Sequence, residues 1–305
     1  MDIAIDNAQL NFSNDNLWIL NICLAVVMFG VALGLKLSDF WNIMKEPKPV
    51  ILGLLSQFIL LPLLTFLLIY IMKPQASIAL GMIMIAACPG GNISNFMTQI
   101  AGGNSALSVT LTAFATLLSI FFTPFNLQFW GSLYGPTNEI LQEVSISPFD
   151  VFQTIILILG FPLIAGMLVN ALLPNISAIL SKVLKPLSIG LFIALVGIAL
   201  FNNLDLFGQY IDQIIFLVFL HNAIAIISGY QLGKIGGLSS PDRRTLAVET
   251  GIQNSGLGLL LIFSFFSGLG GMAIVAGWWG IWHIVSGLSL AYIWNRKKVN
   301  LPIKA

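Results

Sequence analysis

Long apolar stretches, separated by short polar segments, make up most of this chain. A helix needs about 20 mostly apolar residues to cross the hydrocarbon core of a bilayer. Lysine, proline and glycine, which end or interrupt helices, lie between the stretches. The pattern therefore predicts an all-α polytopic membrane protein. We predict spans at residues 17–36, 50–72, 77–101, 106–126, 150–172, 187–204, 211–233, 245–265 and 272–294, nine in all.

The composition indicates the same class of protein. Of the 305 residues, 57% are hydrophobic and 8% are charged, and the mean hydropathy is +0.95. Soluble domains carry about 25% charged residues, so the lipid bilayer is the expected environment of this chain. The sequence has no basic patch that would suit a nucleic acid. Its two cysteines, Cys23 and Cys88, lack the spacing of a zinc site or a disulfide framework.

The basic residues predict which side of the membrane each loop faces, because cytoplasmic loops are enriched in lysine and arginine. If the N-terminus is outside, Lys73 alone of the 13 basic residues falls on the outer side. Since an even number of spans would spoil this separation, we predict an external N-terminus and a cytoplasmic C-terminus. The N-terminal residues are acidic and lack the basic start of a cleavable signal, so we expect the first helix to remain in the mature protein.

The segments outside the predicted spans are short. We expect residues 1–16 to form an external segment, residues 127–149 an external loop and residues 295–305 a cytoplasmic tail. None of them is long enough for a catalytic domain. The function is therefore expected to lie inside the helix bundle.

One acidic residue lies well inside a predicted span. Eleven of the 12 Asp and Glu residues lie in loops or at the ends of predicted spans, and Glu249 is the exception. An ionisable group in hydrocarbon costs at least about 2–3 kcal/mol and indicates a functional site. The alternative is that Glu249 extends to water at the cytoplasmic end. The residues that follow it, TGIQNSGLG, are rich in polar groups and glycine, which argues against that alternative.

The third and eighth predicted spans are both interrupted. Residues 88–95, CPGGNISN, and residues 249–257, ETGIQNSGL, combine helix-breaking and amide residues in opposite halves of the chain. Paired interruptions of this kind indicate the binding site of a transporter. Freed carbonyls and carboxylates suit a small hard cation, whereas exposed helix N-termini suit an anion. The alternative is that the glycines only let helices pack closely.

Further polar side chains lie at helical spacing in the apolar stretches. Ser108, Thr112 and Thr116 recur every fourth residue and form one hydroxyl stripe, although each hydroxyl also has the option of bonding to a carbonyl one turn earlier. Gln57 is the one amide of the second span. Two intramembrane histidines, His221 and His283, are more typical of a hydrogen bond between helices than of a site.

These stretches together resemble the bile acid:sodium symporter family, including its bacterial members. The matching segments are CPGGNISN, GGNSALSVTLT and ETGIQNSGL, supported by MFGVALGLKLSDF and SQFILLPL, and the likeness extends over residues 25–294. The resemblance implies two inverted repeats of five helices, in which one core helix of each repeat is unwound and the two unwound helices cross. Residues 17–126 would form the first repeat without its first helix, and residues 150–294 the second. Spans two to four and seven to nine would form the core domain, and spans one, five and six the panel domain.

The resemblance also implies two sodium sites and a substrate site. The first sodium site would comprise Ser94, Asn95, Ser108, Thr112 and Glu249. The second would comprise Gln57, Glu249 and Gln253 with the backbone carbonyls of Thr250 and Ile252. Asn92, Asn254 and His283 match positions that face the substrate in relatives.

By this resemblance the protein is a secondary active transporter, not an enzyme. It would carry an organic anion, either bile acid-like or a smaller organic acid, with Na⁺ by alternating access, and its only coupling partners would be two Na⁺ ions. We expect it in the plasma membrane, or in the inner membrane of a bacterium. A sodium-independent or proton-coupled carrier or channel of the same fold is the alternative. A more remote alternative is an intramembrane hydrolase with Ser94 as nucleophile, although no GxSxG or HExxH motif is present.

Overall fold

The protein is described here from a computed structural model that covers residues 5–10, 14–35, 47–145, 147–201 and 203–299. Most residues in these ranges are helical, and none of the described residues belongs to a β-strand. Parts of the predicted external segment and of the cytoplasmic tail lie outside the described residues, as do Lys36 and Lys45 of the predicted cytoplasmic basic residues.

In the described residues, fourteen α-helices follow a short 3₁₀ turn at Ile5–Asn7. They are α1 (Asn14–Ala32), α2 (Pro47–Leu55), α3 (Leu61–Met72), α4 (Ala76–Ala87), α5 (Ile93–Ile100), α6 (Ser105–Leu133), α7 (Gly135–Val144), α8 (Pro148–Ile155), α9 (Phe161–Leu172), α10 (Pro174–Phe201), α11 (Leu204–Ile235), α12 (Ser240–Gly251), α13 (Ser255–Phe265) and α14 (Gly270–Val299). A π-helical turn at Ser56–Leu60 joins α2 to α3, and another at Ile156–Gly160 joins α8 to α9.

Within the part of the chain that the structure describes, five helical segments are long and apolar enough to cross a membrane. They are Pro47–Met72, Ser105–Leu133, Phe149–Leu172, Phe207–Ile235 and Gly270–Asn295. Three shorter apolar helices are Leu17–Ala32, Ala76–Ala87 and Ser255–Phe265. The prediction of an all-α polytopic membrane protein is confirmed, and every predicted span overlaps a helix. The count of nine spans and their orientation stay predictions.

Two helix ends differ from the sequence expectation. The sequence predicts that the fourth span ends at residue 126, but α6 continues to Leu133, and α7 lies within residues 127–149, the predicted external loop. Asn126 is buried, and its amide donates to the carbonyl of Phe58 over 3.0 Å. That carbonyl needs a partner because Pro62, four residues later, has no N–H. The side chain of Asn126 is therefore a contact between helices.

The second difference is at the sixth predicted span. Its start was placed at residue 187 because of Pro186, but α10 begins at Pro174 and passes through Pro186. A proline inside a membrane helix is tolerated where neighbouring groups satisfy the freed backbone. Pro186 therefore lies inside α10 and does not mark its start.

The helices form two sets of close contacts around one hydrophobic cluster, which includes residues of α1 as well as of α4, α13 and α14. In the first, α1 packs against α9 and α10, and a methyl group added at Gly166 would come 2.6 Å from the Cβ of Ala32. In the second, α11 packs along α12, and α14 lies against α4 and α11. The second group carries both interrupted helices, and its buried side chains include Trp279, Met82 and Leu260.

The N-terminal residues are fastened to the ends of this second group. The carboxylate of Asp6 accepts a hydrogen bond from the backbone N–H of Ser77, in the first turn of α4, over 2.8 Å. The N–H of Leu10 donates to the carbonyl of Gly268, and the N–H of Gly270 donates to the carbonyl of Ala8. The start of α4 and the turn between α13 and α14 therefore lie at the same end of the bundle.

Candidate functional site

The two interrupted helices meet at their interruptions. Helix α4 ends at Ala87 and α5 begins at Ile93, whereas α12 ends at Gly251 and α13 begins at Ser255. The N–H of Gly91 donates to the carbonyl of Ile252 over 2.7 Å, and the N–H of Asn254 donates to the carbonyl of Pro89 over 2.8 Å. The breaks at residues 88–92 and 252–254 thus form a short antiparallel contact, which we call the crossing.

The sequence of the first break explains why the backbones of the two breaks lie so close together. Pro89 has no N–H, so the helical hydrogen-bond pattern cannot continue through it. A methyl group added at Gly90 would lie 3.1 Å from Oε2 of Glu249 and 3.2 Å from Nε2 of Gln57. At Gly91 it would lie 3.0 Å from the carbonyl oxygen of Gln253. The two glycines leave room for the second break to contact the backbone of the first.

The carboxylate of Glu249 is fully buried beside the crossing. The hydroxyls of Ser94 on α5 and Ser108 on α6 both donate to its oxygen Oε1. The hydroxyl oxygen of Thr112, also on α6, lies 3.3 Å from Oε1 and 3.1 Å from Oε2. A buried carboxylate is costly unless it is paired and hydrogen-bonded. Its partners here are hydroxyl groups contributed by the other half of the chain.

All five residues expected at the first sodium site belong to this cluster. Oδ1 of Asn95 lies 3.4 Å from the hydroxyl oxygen of Thr112, and Ser94 lies 3.5 Å from the same hydroxyl. The side-chain oxygens of this cluster outnumber the hydrogens that are available for hydrogen bonds between them, because its three hydroxyls carry one hydrogen each. Such a surplus of oxygen lone pairs around a carboxylate is an environment that favours a hard cation.

The residues expected at the second sodium site lie around the backbone carbonyl of Glu249 and the second break. Nε2 of Gln57 donates to the carbonyl of Glu249 over 3.3 Å, and its Oε1 accepts from the N–H of Gly90 over 3.3 Å. Nε2 of Gln253 donates to the carbonyl of Thr250 over 2.8 Å, while Oε1 of Gln253 is a buried acceptor without a described partner. The carbonyl of Ile252 accepts from the crossing itself. The structure thus also brings these five residues together.

The three expected substrate residues are less closely connected. Oδ1 of Asn92 and Nδ1 of His283 are buried atoms without a described hydrogen-bond partner. Oδ1 of Asn254 accepts from the N–H of Leu257 over 3.1 Å and caps the start of α13. His283 is on the face of α14 that meets the crossing, because a methyl group added at Gly287, one turn later, would lie 2.9 Å from Cδ1 of Ile252. Among the described contacts, no hydrogen bond joins Asn92, Asn254 and His283 to one another.

The structure separates other polar residues from the cluster. The hydroxyl of Thr116 donates to the carbonyl of Thr112 over 2.7 Å. This is the bond to a carbonyl one turn earlier that the sequence offers as the alternative to a role in the site. Nε2 of His221 lies 2.7 Å from the hydroxyl oxygen of Thr65, and that hydroxyl donates to the carbonyl of Leu61. His221 therefore donates to Thr65, which confirms its interpretation as a hydrogen bond between helices.

Several residues of the site were missed in the sequence. The hydroxyl of Ser56 lies 2.8 Å from that of Thr250, and the hydroxyl oxygen of Ser108 lies 3.2 Å from that of Thr98. Thr123 and Asn222 donate to backbone carbonyls at the two breaks. A single hydroxyl or amide in an apolar helix has no sequence pattern that identifies its partner on another helix.

Known proteins resemble this chain over most of its length. Residues 21–210 match the family described as "Sodium Bile acid symporter family". The chain is 34% identical to the "Uncharacterized sodium-dependent transporter YocS" of Bacillus subtilis, over 95% of this chain and 88% of that protein. It is 28% identical to the "Probable sodium/metabolite cotransporter BASS1, chloroplastic" of Arabidopsis thaliana, over 90% of this chain and 66% of that longer protein. It is also 28% identical to the human "P3 protein", over 74% of this chain and 46% of that protein.

Proposed function

The chain belongs to the sodium bile acid symporter family, and on that premise we propose that it carries an organic anion across the membrane together with Na⁺. Relatives are named as sodium-dependent transporters and sodium/metabolite cotransporters, and the protein is a transporter and not an enzyme. We place it in the plasma membrane, which is the inner membrane in a bacterium. We propose that it transports by alternating access, in which the crossing is accessible from one side of the membrane and then from the other.

The oxygen cluster around Glu249 is the observation that carries the proposal. Ser94, Ser108 and Thr112 supply hydroxyl oxygens, Asn95 an amide oxygen and Glu249 a buried charge. A hydroxyl that now donates to the carboxylate can rotate its hydrogen away and offer a lone pair to a cation. A bound Na⁺ would then neutralise the buried carboxylate and use these oxygens in place of its hydration shell.

A second Na⁺ would bind on the backbone side of the same residue. Its ligands would be the side-chain oxygens of Gln57 and Gln253 and the carbonyl oxygens of Thr250 and Ile252, with Glu249 close by. The unpartnered Oε1 of Gln253 supports this assignment, because a buried acceptor without a donor is costly. With one carboxylate between two cations, the occupancy of each ion site would depend on the other.

The substrate would bind where the second half of each interrupted helix begins. Helix N-termini have unpaired N–H groups and favour negative charge, and α5 and α13 both begin at the crossing. Asn92, Asn254 and His283 would complete the pocket. Because no lysine or arginine lies within the interrupted segments 88–95 and 249–257, amide, imidazole and backbone groups would bind the anion.

Reconstituted transport tests this function. Purified protein in liposomes should accumulate a labelled organic acid when Na⁺ is high outside, and should not do so with a proton gradient alone. A thermal-shift screen of small organic acids and bile acids, with and without Na⁺, should first identify the ligand, because ligand binding raises the melting temperature. Equal uptake without Na⁺ would establish a sodium-independent carrier instead. Uptake driven by a proton gradient in sodium-free buffer would establish proton coupling.

A further inference from the structure

Each break in the crossing frees the last carbonyl of the helix before it. Ala87 ends α4 and Gly251 ends α12. In an uninterrupted helix these carbonyls would accept from the N–H groups of Gly91 and Ser255, four residues later. Those N–H groups are engaged elsewhere: Gly91 donates to the carbonyl of Ile252 over 2.7 Å, and Ser255 donates to that of Gln253 over 2.9 Å.

Two side chains from neighbouring helices take the place of the missing donors. The hydroxyl of Thr123 on α6 donates to the carbonyl of Ala87 over 2.8 Å. The amide of Asn222 on α11 donates to the carbonyl of Gly251 over 2.7 Å. Thr123 is 0% exposed and Asn222 is 1% exposed, so water does not compete for these carbonyls.

The carbonyl of Gly251 stands between two carbonyls assigned to Na⁺. Thr250 precedes it and Ile252 follows it, and Asn222 gives the carbonyl between them its own hydrogen-bond donor. Because a peptide unit is planar, fixing the carbonyl of Gly251 also fixes the direction of the N–H of Ile252. Helix α11 packs directly against Gly251. A methyl group added at Gly251 would lie 2.4 Å from Cγ1 of Ile226, which is one turn after Asn222 on α11.

We propose that Asn222 and Thr123 are positioning residues for ion binding, because they hold the two breaks in the unwound form that presents oxygens to Na⁺. Without its donor, each freed carbonyl would turn toward another partner, and the neighbouring ligands would turn with it. This inference rests on the sodium-coupled function proposed above. It adds two residues that touch neither Na⁺ nor the substrate.

Sodium titrations of paired variants test the inference. Asn222→Leu and Thr123→Val remove the donor at similar volume, whereas Thr123→Ser keeps the hydroxyl. In titrations of melting temperature against Na⁺, we expect Asn222→Leu and Thr123→Val to raise the half-saturating concentration about fivefold or more. Thr123→Ser should bind Na⁺ like the wild type. This rescue distinguishes the hydrogen bond from a general loss of packing.

Two variants far from the crossing serve as controls. Asn170→Leu removes an amide that donates to the carbonyl of Leu35 over 2.7 Å, and Thr137→Val removes a hydroxyl that donates to the carbonyl of Gly131 over 2.6 Å. Both should lower the melting temperature without a change in the half-saturating Na⁺ concentration.

The outcomes separate the two proposals. Wild-type Na⁺ affinity in Thr123→Val and Asn222→Leu, at any melting temperature, would show that the two residues only stabilise the fold. If Asn222→Leu does not fold, the comparison of Thr123→Val with Thr123→Ser decides alone. A wild-type protein whose melting temperature does not respond to Na⁺ would overturn the proposed function itself.

Discussion

The hydroxyl of Ser94 lies 2.5 Å from the carboxylate oxygen Oε1 of Glu249, although 155 residues separate the two along the chain. Ser94 is in the first turn of α5, directly after one break, and Glu249 is in the last turn of α12, directly before the other. The contact exists only because the two interrupted helices cross. A ligand that binds both residues would therefore join the two halves of the protein.

Glu249→Gln is expected to abolish the sodium response. The substitution keeps the size of the side chain but removes the charge that we assign to both cation sites. In sodium-free buffer the variant should melt at or above the temperature of the wild type, because a charge buried in a span costs at least about 2–3 kcal/mol. Melting curves at increasing Na⁺ concentration measure both effects. A variant that responds to Na⁺ like the wild type would give Glu249 a structural role only.

Gly90→Ala is expected to weaken sodium binding through its added methyl group. That group would lie 3.1 Å from Oε2 of Glu249 and 3.2 Å from Nε2 of Gln57, which is closer than normal packing. Overpacking of this kind costs about 1–3 kcal/mol. Gly190→Ala is the matched control, because a methyl group there would meet nothing within 4 Å. Denaturation and Na⁺ titration of both variants check the prediction, and unchanged sodium affinity in Gly90→Ala would contradict it.

The sequence predicted much of the candidate site because its signals are local. Glu249, the glycines of the first break and the amides of the second are unusual against an apolar background, so each is visible without any knowledge of the fold. The resemblance then assigned the ligand sets, and the structure brings all members of both sodium sets together. Of the predicted substrate residues, Asn254 uses its Oδ1 to cap the start of α13.

Other features could not be predicted because they depend on contacts between helices. Thr112 and Thr116 are equivalent in the hydroxyl stripe, and each bonds to a carbonyl one turn earlier, yet only Thr112 also reaches the carboxylate of Glu249. The sequence places the end of a span at Asn126, but the amide of Asn126 donates to the carbonyl of Phe58, which Pro62 leaves without a backbone donor. In both cases the decisive partner comes from the three-dimensional packing and not from the neighbouring sequence.

His221→Ala is expected to lower stability and leave sodium binding unchanged. The imidazole of His221 and the hydroxyl of Thr65 form a buried bond of 2.7 Å between α11 and α3. Its loss leaves Thr65 without one partner, at an expected cost of about 1–3 kcal/mol. Thr65→Val should give a similar loss, and the double variant should lose less than the sum, because the two changes remove one interaction. A raised half-saturating Na⁺ concentration in His221→Ala would instead connect this pair to the ion site.

The predicted orientation of the chain can be tested with two single cysteines. Glu143→Cys lies in the segment predicted outside, and Ser240→Cys lies at the start of α12, on the predicted cytoplasmic side. Both native residues are exposed, and the native Cys23 and Cys88 are buried. In intact cells an impermeant thiol reagent should label Glu143→Cys and not Ser240→Cys, and lysis should make the second reactive. The reverse pattern would invert the topology.

Ion and substrate residues are expected to fail in different ways. If Asn254 and His283 bind the anion, changing either to Ala should weaken substrate binding by about 1–3 kcal/mol, the cost of an unpaired buried polar group. Sodium affinity without substrate should then change little. Asn95→Ala and Gln253→Ala should weaken sodium binding directly and substrate binding only through it.

This difference predicts which variants high sodium can rescue. Substrate and cation influence each other through one coupling free energy, and that coupling is reciprocal. Saturating Na⁺ should therefore return substrate affinity to the wild-type value in Asn95→Ala and Gln253→Ala, but not in Asn254→Ala or His283→Ala. Calorimetric titration of the anion at low and high Na⁺ measures each case. If high Na⁺ restores wild-type affinity in His283→Ala, His283 does not contact the substrate, and its imidazole acts through the ion sites.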